Sequence, residues 1–303
     1  MPDNDFKQGA AYVRGTFVPA AQASISPFDW GFTRSDVVYD VVHVANGSFF
    51  RLPDHLDRFE RSMNARRMKP VESREDIARI LHRCVALSGL RDAYVGMVAL
   101  RGLPRVAGSR RPVDCENHFL GYAIPWIDVV PKDVQGRGVR LWVASNPRVS
   151  DRAVDPTVKN YQWNDLTSGL FEAHDNDFDT AVLCDEAGFV TEGPGFNVFV
   201  VKDGKVRTPD RGSLHGITRR SVLEFCAELG YATAIEPLAR EELDTADEIF
   251  LTSTAGGVIA VVRVNTVILG NDGPGPAFEK IRDLYWAKHR DENYRIDVDY
   301  RAV

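Results

Sequence analysis

A chain of 303 residues is too long for one small core and suits two domains or one large α/β domain. Its 44% hydrophobic and 26% charged content is that of a soluble globular protein. A net charge of −6, with no block of like charges, argues against a nucleic-acid surface.

In chain order, "AYVRGTFVPA" (11–20) reads as two short strands around a Gly turn. "VVYDVVHVANGSFFRL" (37–52) is a hairpin with Asn46-Gly47 as its two-residue turn. Leu52, Leu56, Phe59 and Met63 then fall at helical spacing. A second helix is expected over about 74–89, followed by strands in "AYVGMVALRG" and "HFLGYAIPW". Pro131, charges and two glycines mark 126–138 as the domain boundary. The expectation is therefore a domain over 1–128, a linker over 129–138 and a domain over 139–303. Beyond the linker come a strand (139–145), an irregular run, and a helix near 165–175. A strand pair in "TAVLCDEAGFVTEG" precedes a hairpin turning at Asp203-Gly204. Helices at 217–229 and 277–290 and strands near 232–236 and 248–252 complete the reading. Without strict βαβ alternation, the fold class is α+β.

The four cysteines, at 84, 115, 184 and 226, share no CxxC spacing and read as reduced thiols of a cytoplasmic protein. The seven histidines show no metal-binding spacing, so no metal is expected. No basic start leads an apolar run, and no apolar stretch reaches 18 residues. Neither secretion nor membrane spanning is expected.

Lys159 stands behind the Asp155-Pro156 turn in "DPTVKNYQWNDL". Most lysines so placed are on the surface; a desolvated one is a nucleophile for Schiff-base chemistry. Three later stretches have backbone suited to meeting a ligand. "HGITRRS" puts Gly216 before a helix, where Ile217 and Thr218 offer N–H groups to an anion. "TSTAGG" (252–257) offers hydroxyls and N–H groups, and "TEGPGFNVF" (191–199) places Glu192 at a Gly-rich strand end. No P-loop or dinucleotide fingerprint is present. A lysine, a carboxylate and two phosphate cradles are the parts of a pyridoxal phosphate site.

These stretches, with "SPFDWGFTRSDVVYDVV" (26–42), "FRLPDHLDRFERS" (50–62) and "STAGGV" (253–258), resemble the fold-type IV pyridoxal-phosphate enzymes over nearly the whole chain. "VKNYQW", "SDVVYDVVHV" and "NDGPGP" (271–276) lean toward the (R)-selective amine transaminases. The resemblance implies a small α/β N-terminal domain, a larger pseudo-barrel C-terminal domain, and a homodimer. It makes Lys159 the Schiff-base lysine and Glu192 the partner of the pyridine nitrogen. Arg58, Ile217, Thr218, Ser253 and Thr254 would hold the cofactor phosphate. Tyr39, Val41, Tyr94, Gly96, Trp163 and Ala255 would line the substrate pocket, with Gly96 widening it. Arg34 would reach in from the partner subunit, and Arg105, Arg110 or Arg111 could bind a substrate carboxylate. The activity so implied moves an amino group from an (R)-amine or D-amino acid to a keto acid such as pyruvate. The alternatives are a D- or branched-chain amino acid aminotransferase and, further off, a lyase of the aminodeoxychorismate type.

Overall fold

The computed structural model describes residues 5–270 and 272–301. Asn271, the first residue of "NDGPGP", lies outside them. The chain opens with strands β1 (Ala10–Val13) and β2 (Thr16–Pro19), a short helix α1 (Trp30–Arg34), and strands β3 (Val37–Ala45) and β4 (Ser48–Phe50). Helices α2 (Leu52–Ala65) and α3 (Arg74–Ser88) lead to the long pair β5 (Ala93–Pro104) and β6 (Cys115–Pro125). Then come α4 (Lys132–Arg137), β7 (Val139–Val143), α5 (Asn164–Asp175), β8 (Thr180–Val182), β9 (Glu192–Gly193), β10 (Phe196–Lys202) and β11 (Lys205–Thr208). The remainder is α6 (Ile217–Glu228), β12 (Ala232–Ile235), β13 (Glu248–Ser253), β14 (Gly257–Val264), β15 (Val267–Ile268), α7 (Pro276–Ala287) and β16 (Arg295–Asp297).

Two compact units result, and the fold is α+β. Unit 1 holds the described residues up to Ile127, Val158–Gln162, and those from Asp291 onward; unit 2 holds Asp128–Thr157 and Trp163–Arg290. The division differs from a single cut at 129–138. Residues 128–138 belong to unit 2 and include α4. Val158–Gln162 returns to unit 1 because Asn160 bridges Val38 and the Tyr39 N–H donates to the Lys159 carbonyl. The segment after Arg290 returns because β16 pairs with β4.

Unit 1 is built on an antiparallel seven-stranded sheet, ordered β16-β4-β3-β5-β6-β1-β2 among the described residues. The β3–β4 turn has positive φ at Asn46 (52°) and Gly47 (83°), the backbone that a tight two-residue hairpin requires. Successive residues of β3 face opposite sides. Val38, Val42 and Val44 join a core with Leu56, Phe59, Ile77 and Leu81 of α2 and α3. Val37, Tyr39 and Val41 pack on the other face with Val98, Leu100 and Tyr122. A reciprocal Ser73–Asp76 capping box starts α3, and Gly89 ends it in the left-handed conformation.

Unit 2 carries a mixed nine-stranded sheet ordered β12-β11-β10-β13-β14-β7-β8, with β15 on β14 and β9 on β10. Its strand β14, "GVIAVVRV", is missing from the sequence reading. Seven of its eight residues are buried, so the alternation that identifies a half-exposed strand is absent.

The hairpin of β5 and β6 carries the arginine-rich loop, and Gly102 marks its base. With φ at +77°, this glycine faces the Glu116 carbonyl oxygen, where a Cβ would collide. Gly102→Ala should lower stability by at least about 1–3 kcal/mol, the cost of left-handed strain before the collision is added. A urea midpoint unchanged from wild type would show that the hairpin base relaxes freely.

Candidate active site

Lys159 lies in unit 1. Its main chain is pinned by the Asn160–Val38 bridge and by its N–H donating to Ser62 Oγ at 3.3 Å. Its half-buried side chain places Nζ 4.5 Å from the Tyr39 ring centre, a cation–π arrangement. Tyr161 packs against the same tyrosine, its ring centre 4.4 Å from that of Tyr39. Tyr94 and Tyr122 stack at 6.4 Å. Burial raises the phenols of Tyr94 and Tyr161 and pushes Tyr122 up to about 12, so these rings stay neutral donors at physiological pH. Tyr39, Val41 and Tyr94 therefore share one face of the sheet, and Lys159 Nζ lies over Tyr39. Gly96 corrects its expectation. It sits across from Tyr122 on β6, and a Cβ at Gly96 would overlap the Tyr122 ring. The glycine does not widen a pocket; its missing side chain is replaced by a tyrosine from the next strand.

Arg58 is buried at 3% exposure rather than solvated on its helix. It donates through Nε and Nη2 to both oxygens of Asp40, at 2.7 and 2.8 Å. His55 Nδ1 lies 2.8 Å from the same carboxylate. The Asp40 carboxyl is wholly buried; burial alone would raise it, but Arg58 and then His55 hold it well below the usual range. Burial holds His55 below its ordinary value, so it is neutral near pH 7. The sequence reading did not single out Asp40. The signal was there: one carboxylate inside an unbroken apolar strand, at the register of Val38 and Val42.

Arg34 is exposed at the end of α1, its guanidinium 3.3 Å from the Trp30 ring centre. Asp29 caps that helix through the Gly31 N–H and also accepts from Gly102 N–H and His118 Nε2, tying α1 to the hairpin. The loop arginines are exposed. Arg105 pairs with Glu116 at 3.0 Å, and Arg111 lies 4.0 Å from Asp114.

The other residues are in unit 2. Glu192, on β9, is 7% exposed. Arg148 Nη2 donates to its Oε1 at 3.0 Å and the Leu214 N–H to its Oε2 at 2.9 Å. Gly216 begins α6 and abuts Asn197 Oδ1, leaving no room for a Cβ. The N–H groups of Ile217 and Thr218 are in the first turn of this twelve-residue helix, where no intrahelical acceptor exists. Ser253 Oγ donates to the Gly195 carbonyl and accepts from the Ala255 N–H, so it ties two Gly-containing loops together. Ala255 also accepts from the Val129 N–H. Trp163 packs against the Ala144, Leu166 and Leu183 cluster, beside Gly195. Among the described residues, no group of three or more His, Cys, Asp or Glu could hold a metal. No helix among them is long and apolar enough to cross a membrane.

A profile for the family Amino-transferase class IV matches residues 37–264. The chain belongs to the class IV aminotransferases. A Methanocaldococcus jannaschii protein, provisionally named a branched-chain-amino-acid aminotransferase, is 30% identical over 276 residues, covering 90% of this chain and 94% of its own. A T.th. branched-chain amino acid aminotransferase, complexed with N-(5′-phosphopyridoxyl)-L-glutamate, matches with a TM-score of 0.88 at 27% identity, over 97% of this chain and 100% of its own. Its structure with pyridoxamine 5′-phosphate matches equally, with the same identity, coverage and TM-score. This aminotransferase uses pyridoxal 5′-phosphate, and a lysine, a buried carboxylate and a glycine-led helix N-terminus fit that group.

Asp40→Asn should destabilise the protein by about 3–5 kcal/mol, because it takes away the carboxylate that neutralises the buried Arg58 charge. The pH dependence follows from both shifts. A depressed His55 gives stability that declines as pH falls below about 6.5, since only the unfolded chain takes up the proton there. The depressed Asp40 adds a loss that begins as pH falls through about 3.8. Thermal melts from pH 8 to 3 should show both phases, and His55→Gln should diminish the first, which the burial-depressed His82 and His289 share. A flat profile down to pH 4 would contradict the assignment.

Proposed function

We propose that this aminotransferase exchanges amino groups between apolar, branched-chain-type amino acids and keto acids, in preference to (R)-amines. The observation that carries this is the face next to Lys159 Nζ: Tyr39, Val41, Val37, Val98 and Leu100 form one apolar cluster, with Tyr94 and Tyr122 against it. Such a surface suits an aliphatic side chain. The room expected beside Gly96 for a bulkier amine substituent is filled by the Tyr122 ring. The names of the relatives favour the branched-chain alternative as well.

In this reading Lys159 is the covalent anchor of the cofactor and the base that moves the substrate Cα proton. When bound, the cofactor supplies an electron sink. Glu192 would accept from its ring nitrogen. Ile217 and Thr218 N–H groups and the Thr254 hydroxyl would receive its phosphate, with the Arg58 charge shared with Asp40. Arg34 serves a substrate carboxylate across a homodimer contact. Phe28 (74% exposed) and Phe32 (66% exposed), just before Arg34 in the chain, suit burial against a second copy. The four unbridged cysteines accord with a cytoplasmic protein.

Borohydride reduction should attach the cofactor to Lys159 in a peptide map. Glu192→Gln should lower kcat by roughly 10²-fold or more, as for other electrostatic catalytic groups. Turnover should be measured with L-leucine, L-isoleucine, D-alanine and (R)-1-phenylethylamine, each with 2-oxoglutarate or pyruvate. Faster turnover of the L-branched donors is expected. Turnover confined to D-alanine or the (R)-amine would overturn the substrate reading, and pyruvate release without an acceptor would indicate a lyase.

If a second copy buries the pairing of Arg34 with the substrate carboxylate, Arg34→Ala should weaken acid substrates by about 2–5 kcal/mol, seen as a rise in KM, while sparing amines that lack a carboxylate. Sedimentation should find a dimer. Equal losses toward both substrate classes would assign Arg34 to the subunit contact alone.

A further inference from the structure

Arg148 is the side chain that grips Glu192. It is 9% exposed and its charge is divided between two acids. Nη2 donates to Glu192 Oε1 at 3.0 Å, and Nη1 to Asp165 Oδ2 at 2.6 Å. Asp165 lies in the first turn of α5, where its Oδ2 also accepts from the Val149 N–H and its Oδ1 from its neighbour Leu166. The Arg148 main chain is fixed in turn, its N–H donating to the Cys184 carbonyl. The guanidinium is thus held at its root and at both Nη atoms.

The charges explain what this arrangement accomplishes. Arg148, Asp165 and Glu192 sum to −1. Arg219, 6% exposed, stands within electrostatic reach of Glu192, while its hydrogen bonds go to Thr208 Oγ1 and the Pro209 carbonyl. Asp210 lies within reach of Arg219 as well, beside Arg211. Burial disfavours the charged form of a carboxylate, and neighbouring cations favour it. A protonated Glu192 would donate rather than accept, and could not serve a ring N–H.

We propose that Arg148 is a positioning residue for transamination: it fixes the orientation of Glu192 and holds it as a carboxylate, and Asp165 sets how much of the Arg148 charge reaches it. The proposal rests on the reading that Glu192 faces the pyridine nitrogen. Two substitutions then act in opposite directions on the same group. Arg148→Gln withdraws the charge from Glu192; Asp165→Asn concentrates it there.

The test is 13C NMR of the glutamate side-chain carboxyls in the purified holoenzyme, with the Glu192 signal assigned by its loss in Glu192→Gln. Arg148→Gln should raise the Glu192 titration midpoint by about one pH unit or more, and Asp165→Asn should lower it. Arg148→Lys keeps the charge without the planar fork, so it should recover most of the midpoint and less of kcat, with KM little changed. A midpoint unmoved by Arg148→Gln, or moved the same way by both substitutions, overturns the proposal. If Arg148→Gln does not fold, Arg148→Lys and Asp165→Asn decide the matter: no movement in either overturns it. Failure of borohydride to label Lys159 would instead remove the cofactor reading, while the Glu192 titration would still judge Arg148.

Discussion

Asp40 has no exposed surface, and a carboxylate there persists because four hydrogen-bond contacts converge on it. They are Arg58 Nε and Nη2, His55 Nδ1, and the neighbouring Val41 N–H. A buried ion pair is a poor source of net stability, but it is effective at excluding alternatives. A slip of β3 by one residue would carry Asp40 to the tyrosine face and turn Tyr39 into the core. The pairing with α2 forbids that slip. It thereby fixes which side of β3 presents Tyr39 and Val41, and so what surface Lys159 meets. In unit 1 the site's register is set by charge on one face of a strand and used on the other.

Local signals in the sequence were legible where local physics decides. Asn46-Gly47 and Asp203-Gly204 turn with positive φ as their residue types suggest. The helices at 52–65 and 74–88 follow their apolar spacing. The parts list of Lys159, Glu192 and the Gly216 helix start was legible because chemistry restricts which residues can supply it. What could not be read depends on distant pairing. β16 has no apolar pattern and exists through β4; Val158–Gln162 joins unit 1 through two backbone contacts with β3. Arg58 was ambiguous because His55, Asp57 and Glu60 surround it in sequence. The structure buries Arg58 and His55 together and leaves Asp57 facing Arg74. Arg148 carries no motif, and only the fold brings it to Glu192.

Gly96 teaches a related point about reading a pocket. A glycine in a strand is space only if no neighbour claims it. Here the cross-strand tyrosine does, and an aromatic ring laid over a glycine restores the packing the strand would otherwise lack. Ser253 is similar. Its hydroxyl joins the 253–257 loop to Gly195 and so helps set the shape of that loop. Both cases shift weight from single lining residues to the pairs that place them.

The path of the chain bears on how the protein is made. Unit 1 begins first, yet it includes the segment from Asp291 onward, and β4 gains its second neighbour only when β16 arrives. Unit 2 lies wholly between Asp128 and Arg290. During synthesis at roughly 5–20 residues per second, domains usually fold in order of emergence. Here the later unit has all its residues before the earlier one does. Until then the edge of β4, with Phe49 and Phe50, is an unpaired strand on a nascent chain, the kind of surface that chaperones bind.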